Sequence, residues 1–284
     1  MKVDEIMSAP VVCMHPTEPV AHARNLMLRH KIKHIIVVEK GKPIGILSMK
    51  NMTKVMAGRG GAIEQRRPID DFPAARVISG KLITASSGTD VKKAARMMLN
   101  HGTSCLPVAE GNELVGVVTK TDIARYFASN MVGRAKVREL MTGKVVTANR
   151  RSSLQHVLGL MEQNNISRVV ITDGELPIGI ITAADIAFAE LEKPAEGAPK
   201  QMVRFTRKAE RASRPKCRYV KYVSATAENL MRQELLTISA DDDAAVAAGI
   251  MLERGISGLP VVEGDKLVGI ITKTDLTRGV AELG

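Results

Sequence analysis

One short pattern occurs four times in the sequence. In each copy an apolar run begins with glycine, ends on Ser or Thr, and is followed three residues later by Asp or Asn. The copies read GILSMKN, GVVTKTD, GIITAAD and GIITKTD, and they start at Gly45, Gly116, Gly179 and Gly269. Four copies of one pattern indicate an internal repeat, and this limits the possible folds more than any other feature of the chain.

Other landmarks keep a fixed distance from these glycines. A short apolar run ends 32 residues before each glycine, at Cys13, Thr84, Thr147 and Thr237. A second apolar run passes nine residues before each glycine, at Ile36, Pro107, Val170 and Pro260. The four units therefore align without a gap.

Each unit reads as a strand, a helix, two strands and a second helix. A polar turn precedes the first helix, and in the fourth unit Val246, Ile250 and Met251 recur at helical spacing. A turn that contains Gly or Pro joins the two later strands, which predicts a hairpin. The order β-α-β-β-α makes an α/β unit of about 50 residues. This is small for an independent core, so we expect the units to pair.

This pattern resembles the cystathionine-β-synthase (CBS) domain, four times over. The repeats are expected at 1–56, 81–130, 135–191 and 228–284, with inserts at 57–80 and 192–227. The resemblance implies that repeats 1 and 2, and repeats 3 and 4, pair into two Bateman modules, which pack into a disc within one chain or as a homodimer. Four repeats in one chain resemble the gamma subunits of AMP-activated protein kinases and archaeal stand-alone CBS proteins.

The Thr-x-x-Asp end of each pattern has two interpretations. The first is a capping box, in which Ser48, Thr119, Thr182 or Thr272 begins a helix and the acidic residue satisfies its free amides. The second is a ligand site, because a helix N-terminus attracts phosphate and a carboxylate can accept hydrogen bonds from a ribose diol. A Glu would cap as well, and capping does not explain the glycine of each copy, so we favour the ligand site.

The CBS resemblance implies that these residues contact adenine nucleotides. AMP or ADP is the expected ligand, with ATP or S-adenosylmethionine as alternatives, and no metal is predicted. The predicted nucleotide-binding residues are Thr84, Thr119, Asp122, Thr147, Ser167, Arg168, Thr182, Asp185, Thr237, Ser257, Thr272 and Asp275. Repeat 1 departs from the pattern, because Asn51 and Cys13 replace Asp and Thr, although Lys33 and His34 could reach a phosphate.

The sequence offers little for catalysis. The six histidines are scattered, and neither a nucleophile elbow nor a Walker loop is present. Three cysteines without a CxxC spacing suggest neither a disulfide framework nor a metal site. The first residues lack an apolar core and no stretch approaches a membrane span, so we expect a cytoplasmic, non-catalytic regulator of a protein partner.

Residues 193–222 carry most of the excess charge. Ten basic and two acidic residues lie there, in a chain whose formal net charge is +11. Such runs are usually solvated linkers, but here cations alternate with Phe205, Tyr219 and Tyr222, a composition that suits RNA. The alternative function is therefore RNA or ribosome binding. The candidate residues are Arg204, Arg207, Lys208, Arg211, Arg214, Lys216, Arg218 and Lys221.

Overall fold

The computed structural model describes residues 1–57, 69–78, 82–111, 113–187, 226–232 and 234–283. It confirms four α/β repeats in the predicted order. Repeat 1 comprises β1 (Cys13–Met14), α1 (Val20–His30), β2 (His34–Glu39), β3 (Lys42–Ser48) and α2 (Met49–Ala57). Repeat 2 comprises α3 (Val91–Asn100), β4 (Cys105–Glu110), β5 (Glu113–Thr119) and α4 (Lys120–Asn130). Its first strand is reduced to a bridge between Ala85 and Val108.

Repeats 3 and 4 each begin with a short helix that precedes the first strand. Repeat 3 comprises α5 (Val137–Leu140), β6 (Thr147–Asn149), α6 (Leu154–Gln163), β7 (Arg168–Asp173), β8 (Leu176–Thr182) and α7 (Ala183–Ala187). Repeat 4 comprises α8 (Ala227–Leu230), β9 (Ile238–Ser239), α9 (Ala244–Glu253), β10 (Gly258–Glu263), β11 (Lys266–Thr272) and α10 (Lys273–Leu283). In repeats 1 and 2 a 3₁₀ turn takes the place of the short helix, at Val3–Glu5 and Ala74–Arg76.

The sheet register is the same in all four repeats. The first strand runs parallel to the second, and the second and third strands form an antiparallel hairpin. The repeat glycines pair with Val37, Val108, Ile171 and Val261, and a register shift follows at the next residue each time. The ungapped alignment of the sequence therefore corresponds to one hydrogen-bonding scheme used four times.

Each repeat is completed by a segment from its neighbour. We call the four stretches that precede the first strands, residues 1–9, 69–78, 136–142 and 226–232, the lead segments. The lead segment of repeat 1 packs on repeat 2, where the amide of Val3 donates to the carbonyl of Thr89 over 2.8 Å. In return, the amide of Val20 in repeat 1 donates to Phe72 of the second lead segment over 2.8 Å.

Repeats 3 and 4 make the same exchange. The amide of Val137 donates to Asp242 of repeat 4, and the amide of Ala227 donates to Ser152 of repeat 3, both over 2.8 Å. Because every core needs the lead segment of the other repeat, repeats 1 and 2 form one module and repeats 3 and 4 form the other. This is the pairing that the resemblance to CBS domains implied.

The exchange explains the glycine of each pattern. Met7, Ile78, Met141 and Met231 of the lead segments lie directly against Gly116, Gly45, Gly269 and Gly179. A Cβ atom added at Gly45 would lie 2.7 Å from Cδ1 and 2.9 Å from Cβ of Ile78, closer than atoms of this kind approach. The glycine therefore makes room for the neighbouring lead segment rather than for a ligand.

The two modules meet through their helices within one chain. Helix α10 packs against α3 and α4, and α4 packs against α9, so that repeats 2 and 4 share one hydrophobic core. Among the described residues, repeats 1 and 3 touch through α2, α6 and α7 and form separate clusters of buried residues, with Ala184 of α7 packed against the cluster of repeat 1. Within this part of the chain, repeats 2 and 4 share one core and repeats 1 and 3 do not.

Candidate functional site

The Thr-x-x-Asp patterns lie where the third strand of each repeat gives way to the second helix. In repeat 2 the backbone amide and the hydroxyl of Thr119 each donate to Asp122 Oδ2 over 2.8 Å. Thr182 with Asp185, and Thr272 with Asp275, repeat this arrangement, with hydroxyl to carboxylate distances of 2.6 Å. The capping hydrogen bonds are therefore present, and they occupy one carboxylate oxygen in each case.

The second oxygen of each carboxylate faces an arginine. Asp122 Oδ1 accepts from Arg125 over 2.8 Å, and Asp275 Oδ1 accepts from Arg278 over 2.9 Å. These arginines lie three residues further along the same helices. At Asp185 the arginine is Arg232, which belongs to the lead segment of repeat 4 and approaches Oδ1 to 2.9 Å.

Repeat 1 keeps the cap with a neutral side chain. The backbone amide of Ser48 donates to Asn51 Oδ1 over 3.1 Å, and the Ser48 hydroxyl donates to the same oxygen. An amide thus fits the capping geometry as well as a carboxylate does. The negative charge of the other three repeats is not required for the cap.

The helix starts of repeats 2 and 4 face each other across the joint between the modules. Lys120 Nζ donates to the hydroxyl of Thr274 over 3.0 Å, and Lys273 Nζ donates to the hydroxyl of Thr121 over 3.1 Å. Each lysine thereby reaches the helix start that carries the aspartate of the opposite module. Asp122 and Asp275 are almost fully buried there, at 4% and 3% exposure.

Further cations gather around this contact. Lys33, Lys50, Lys120, Arg168 and Lys273 act on one another electrostatically, and we call them the central basic cluster. Arg168 donates to the carbonyl of Ser257 and, over 3.0 Å, to its hydroxyl. Lys50 donates to the carbonyl of Asn165 over 2.8 Å. These oxygen partners are uncharged, and the acidic groups that act on the cluster are Asp122, Asp185 and Asp275.

The crowding of these cations changes their pKa values. Burial, with the neighbouring cations, lowers the pKa of Lys120 and of Lys273 to about 8, although Asp275 and Asp122 oppose the shift. Burial also lowers the pKa of Arg168 to about 10. Burial and the charges of Arg168 and Arg232 lower the pKa of Lys33. An anion in the cluster would relieve this repulsion.

The serines before the second strands lie at the edge of the same region. The carbonyl oxygens of Ser104, Ser167 and Ser257 each accept a hydrogen bond from the residue after the Thr of their repeat. In repeat 1 the equivalent residue is Lys33, and the following His34 bonds to the Ser104 hydroxyl over 2.7 Å. Burial, together with Lys33 and Lys120, lowers the pKa of His34 to about 4, so the imidazole is neutral at pH 7.

The other predicted residues are arranged differently. Thr84, Thr147 and Thr237 are exposed; Thr147 begins β6, whereas Thr84 and Thr237 immediately precede Ala85 and β9. The equivalent Cys13 lines a cavity of about 690 Å³ with Pro10, Glu113 and neighbouring residues. The eight basic residues predicted to contact RNA, within 193–222, lie outside the described residues.

Several residues of this region were not predicted from the sequence. Lys120 and Lys273 follow the Thr of their patterns, and the shared letters TKTD could have singled them out. Arg232 gave no such signal, because it lies 47 residues after Asp185 and reaches it only through the exchange of lead segments. Within the described ranges, no group of three or more His, Cys, Asp or Glu side chains could hold a metal ion. Nor is any described helix long and apolar enough to span a membrane.

A comparison with known protein families finds all four repeats. The model of the family described as "CBS domain" matches residues 3–58, 74–129, 137–192 and 227–282. The second, third and fourth matches begin at the short helical turns of the lead segments, and the first begins at Val3. The matches cover well over half of the chain.

Similar proteins include several from archaea. Protein MJ1404 of Methanocaldococcus jannaschii, which is uncharacterized, is 31% identical over 99% of this chain, and the chain spans 62% of that protein. An uncharacterized 33.4 kDa protein encoded in a ribosomal RNA operon of Thermofilum pendens is 24% identical over 89% of this chain and 82% of its own length. The crystal structure of MJ1225 from M. jannaschii, described as a candidate archaeal homolog of g-AMPK, superimposes with a TM-score of 0.80. That match covers 98% of this chain and 99% of the other at 20% identity, so it shows a shared fold.

Proposed function

The chain belongs to the CBS-domain family, and from this premise we propose that it is a non-catalytic regulatory protein that binds adenine nucleotides. AMP or ADP is the first expectation, with ATP or S-adenosylmethionine as alternatives. The nucleotides bind at the Thr-x-x-Asp helix starts, and their occupancy modulates a protein partner. Proteins of this family are regulatory binders of nucleotides and adenosyl compounds.

One observation carries the proposal. At the joint between the modules, a buried aspartate at a helix start lies in the electrostatic field of a lysine from the opposite module, Asp122 with Lys273 and Asp275 with Lys120. The aspartate can accept from ribose hydroxyls, whereas the lysine and the helix amides can donate to a phosphate. A ligand with both groups on one face is a nucleoside phosphate.

The same arrangement supports a regulatory role. A nucleotide held by an aspartate of one module and a lysine of the other would stabilise one relative orientation of the two modules. Such a ligand can shift an equilibrium only if it binds the two orientations differently, and contacts from both modules provide that difference. A partner that contacts both modules would then respond to occupancy.

Calorimetry on the full chain with AMP, ADP, ATP and S-adenosylmethionine tests the proposal. We expect binding of at least one of the four, with the phosphate-bearing ligands preferred. Heats that do not exceed dilution for any of the four would reject the function.

Two variants sharpen the test. The triple variant Asp122→Asn, Asp185→Asn and Asp275→Asn keeps the caps, as Asn51 shows in repeat 1, but it removes the charge that holds the ribose. We expect at least tenfold weaker binding, since a hydrogen bond to a charged group contributes about 1.5–3 kcal/mol. Lys273→Met should likewise weaken the binding of phosphate-bearing ligands. The matched control is Lys93→Met, at an exposed position on α3.

The charge of residues 193–222 supports a second candidate, contact with RNA. Neutralising several phosphates gives an affinity that falls steeply with salt, whereas a protein partner bound through apolar surfaces depends on salt only mildly. Gel shift and ribosome co-sedimentation across a salt series distinguish the two. The comparison variant changes Arg204, Arg207, Arg211, Arg214 and Arg218 to Ser. Equal binding by both proteins, or none at moderate salt, would leave only the protein-regulator function.

A further inference from the structure

Asp185 differs from the other two aspartates in the origin of its arginine. Arg125 and Arg278 lie on the same helices as their aspartates, whereas Arg232 comes from the lead segment of the neighbouring repeat. Its Nε and Nη2 atoms lie 2.9 and 2.8 Å from Asp185 Oδ1. The Asp185 side chain is only 7% exposed, so this contact joins two repeats at a nearly buried point.

The lead segment fixes Arg232 at this point through its backbone. The amide of Arg232 donates to the carbonyl of Ile180 over 3.1 Å, two residues before Thr182, so the arginine lies beside the predicted ligand site. Met231 packs against Gly179 just before it. The backbone therefore stays in place while the side chain, which is 39% exposed, can turn.

A second cation acts on the same carboxylate. Lys33 of repeat 1 lies in the electrostatic field of Asp185, and also in those of Arg232 and Arg168. Asp185 therefore interacts with cations from repeats 1 and 4. Lys33 is repelled by Arg168 and Arg232 there, and an anionic ligand would relieve this repulsion.

The two carboxylate oxygens of Asp185 have different hydrogen-bond partners. Oδ2 accepts from the amide and hydroxyl of Thr182, so a ribose has to use Oδ1, where Arg232 is bound. A nucleoside without phosphate would weaken the ion pair between Arg232 and Asp185 without providing a new anionic partner for the guanidinium. Leaving a charge unpaired beside a buried carboxylate costs free energy, so such a nucleoside should bind weakly. A phosphate offers the guanidinium a new anionic partner with matching geometry.

We propose that Arg232 selects phosphate-bearing nucleosides at the Asp185 site by exchanging the Asp185 carboxylate for the phosphate of the ligand. The inference rests on the proposed function, because it concerns one of the same helix starts. Adenosine is disfavoured because it has no anion to offer. S-adenosylmethionine offers a carboxylate instead of a phosphate, but its sulfonium and ammonium groups bring positive charge toward Arg232 and Lys33.

Nuclear magnetic resonance of the full chain tests the exchange with ADP and adenosine as probes. The Arg232 Nε–H signal, assigned by its loss in Arg232→Ala, reports on the ion pair, and the Thr182 amide reports on occupancy of the site. We expect ADP to shift both signals and adenosine at the same concentration to shift neither. In Arg232→Ala, the ratio of ADP to adenosine affinity, measured at Thr182, should fall at least tenfold.

Two further variants separate selection from a structural effect. Arg232→Lys keeps the charge without the planar fork, so its selectivity should lie between those of the wild type and Arg232→Ala. Arg125→Ala removes the same kind of ion pair from Asp122, and it should leave the titration seen at Thr182 unchanged. If Arg232→Ala and Arg232→Lys weaken the binding of ADP and the binding of adenosine equally, Arg232 only holds the lead segment and the inference is wrong.

The outcomes also separate this inference from the proposed function. If ADP shifts the Thr119 or Thr272 amides but leaves Arg232 Nε–H unmoved, nucleotide binding stands and the exchange at Asp185 does not. If ADP moves none of these signals, both fail.

Discussion

At the scale of single residues, the lysines between the two modules matter most. Lys120 and Lys273 have pKa values near 8, so each exists as a mixture of charged and neutral forms close to neutral pH. Their partners in the structure are the hydroxyls of Thr274 and Thr121, which accept a hydrogen bond but do not compensate a charge. A phosphate would replace a weak partner with a strong one.

These pKa values predict a pH dependence of ligand binding. Above pH 8 the two lysines lose their protons, whereas the charge of a nucleotide phosphate, with a second pKa near 6, stays constant. We therefore expect ADP affinity to fall about tenfold or more between pH 7 and pH 9.5 in calorimetry. The slope should flatten in the double variant Lys120→Met and Lys273→Met. An affinity that is constant over this range would show that the lysines do not contact the phosphate.

The same lysines affect stability without ligand, in the opposite direction. Their pKa values in the folded protein lie below the value of about 10.4 in an unfolded chain, so the unfolded state binds more protons between pH 8 and 10. The contribution of these lysines to the free energy of unfolding therefore rises with pH across this window. Below pH 8 their repulsion weakens the fold, and an anion would relieve it.

At the scale of elements, the exchange of lead segments dominates. Ile78 lies against Gly45 with its rigid, branched Cβ, whereas the flexible end of Met7 lies against Gly116. The equivalent glycines of the two repeats in this module therefore contact side chains of different stiffness. This difference allows a matched comparison of two substitutions.

We predict that Gly45→Ala destabilises the protein more than Gly116→Ala does. The new methyl group at residue 45 meets atoms that cannot rotate away, so overpacking should lower the free energy of unfolding by about 1–3 kcal/mol. Gly159→Ala is the control, since no atom lies within 4 Å of a Cβ there and helix α6 should gain stability. Urea denaturation measures all three variants. Equal effects at residues 45 and 116 would contradict the packing explanation.

Much of this fold could be predicted from the sequence. The spacing of Cys13, Ile36 and Gly45 repeats four times, and the structure pairs Cys13 with Ile36 as the alignment requires. The lead segments were missed because their helices have only three or four residues, too few for a periodic pattern. The central basic cluster was predicted only in part, since its members come from different repeats and meet only after the modules pack.

At the scale of the whole molecule, the two halves differ in how the modules join. Phe127 of α4 is fully buried in the core that repeats 2 and 4 share, beside Gly279 of α10. Met52 of α2 is equally buried, but in the separate core of repeat 1. The shared core couples the modules, whereas the described residues of repeats 1 and 3 form separate cores.

Phe127→Ala should therefore affect both modules. We expect a loss of about 3–5 kcal/mol in the free energy of unfolding, the usual cost of removing a buried aromatic ring. Hydrogen exchange should speed up in α4 and in α10 alike. Met52→Ala should cost about 2–5 kcal/mol and speed exchange mainly in repeat 1. Faster exchange limited to α4 in the first variant would argue against a shared core.

The exchange of lead segments also affects how the protein forms during synthesis. The nascent chain leaves the ribosome from its first residue, so residues 1–9 emerge long before repeat 2, on which they pack. The core of repeat 1 is likewise incomplete until Phe72, Ala74 and Val77 have been synthesised. At about 5–20 residues per second, these early segments remain without their partners for several seconds. The smallest part of this region that becomes stable during translation is therefore expected to be a whole module of about 130 residues, and chaperones would meet its unfinished halves before then.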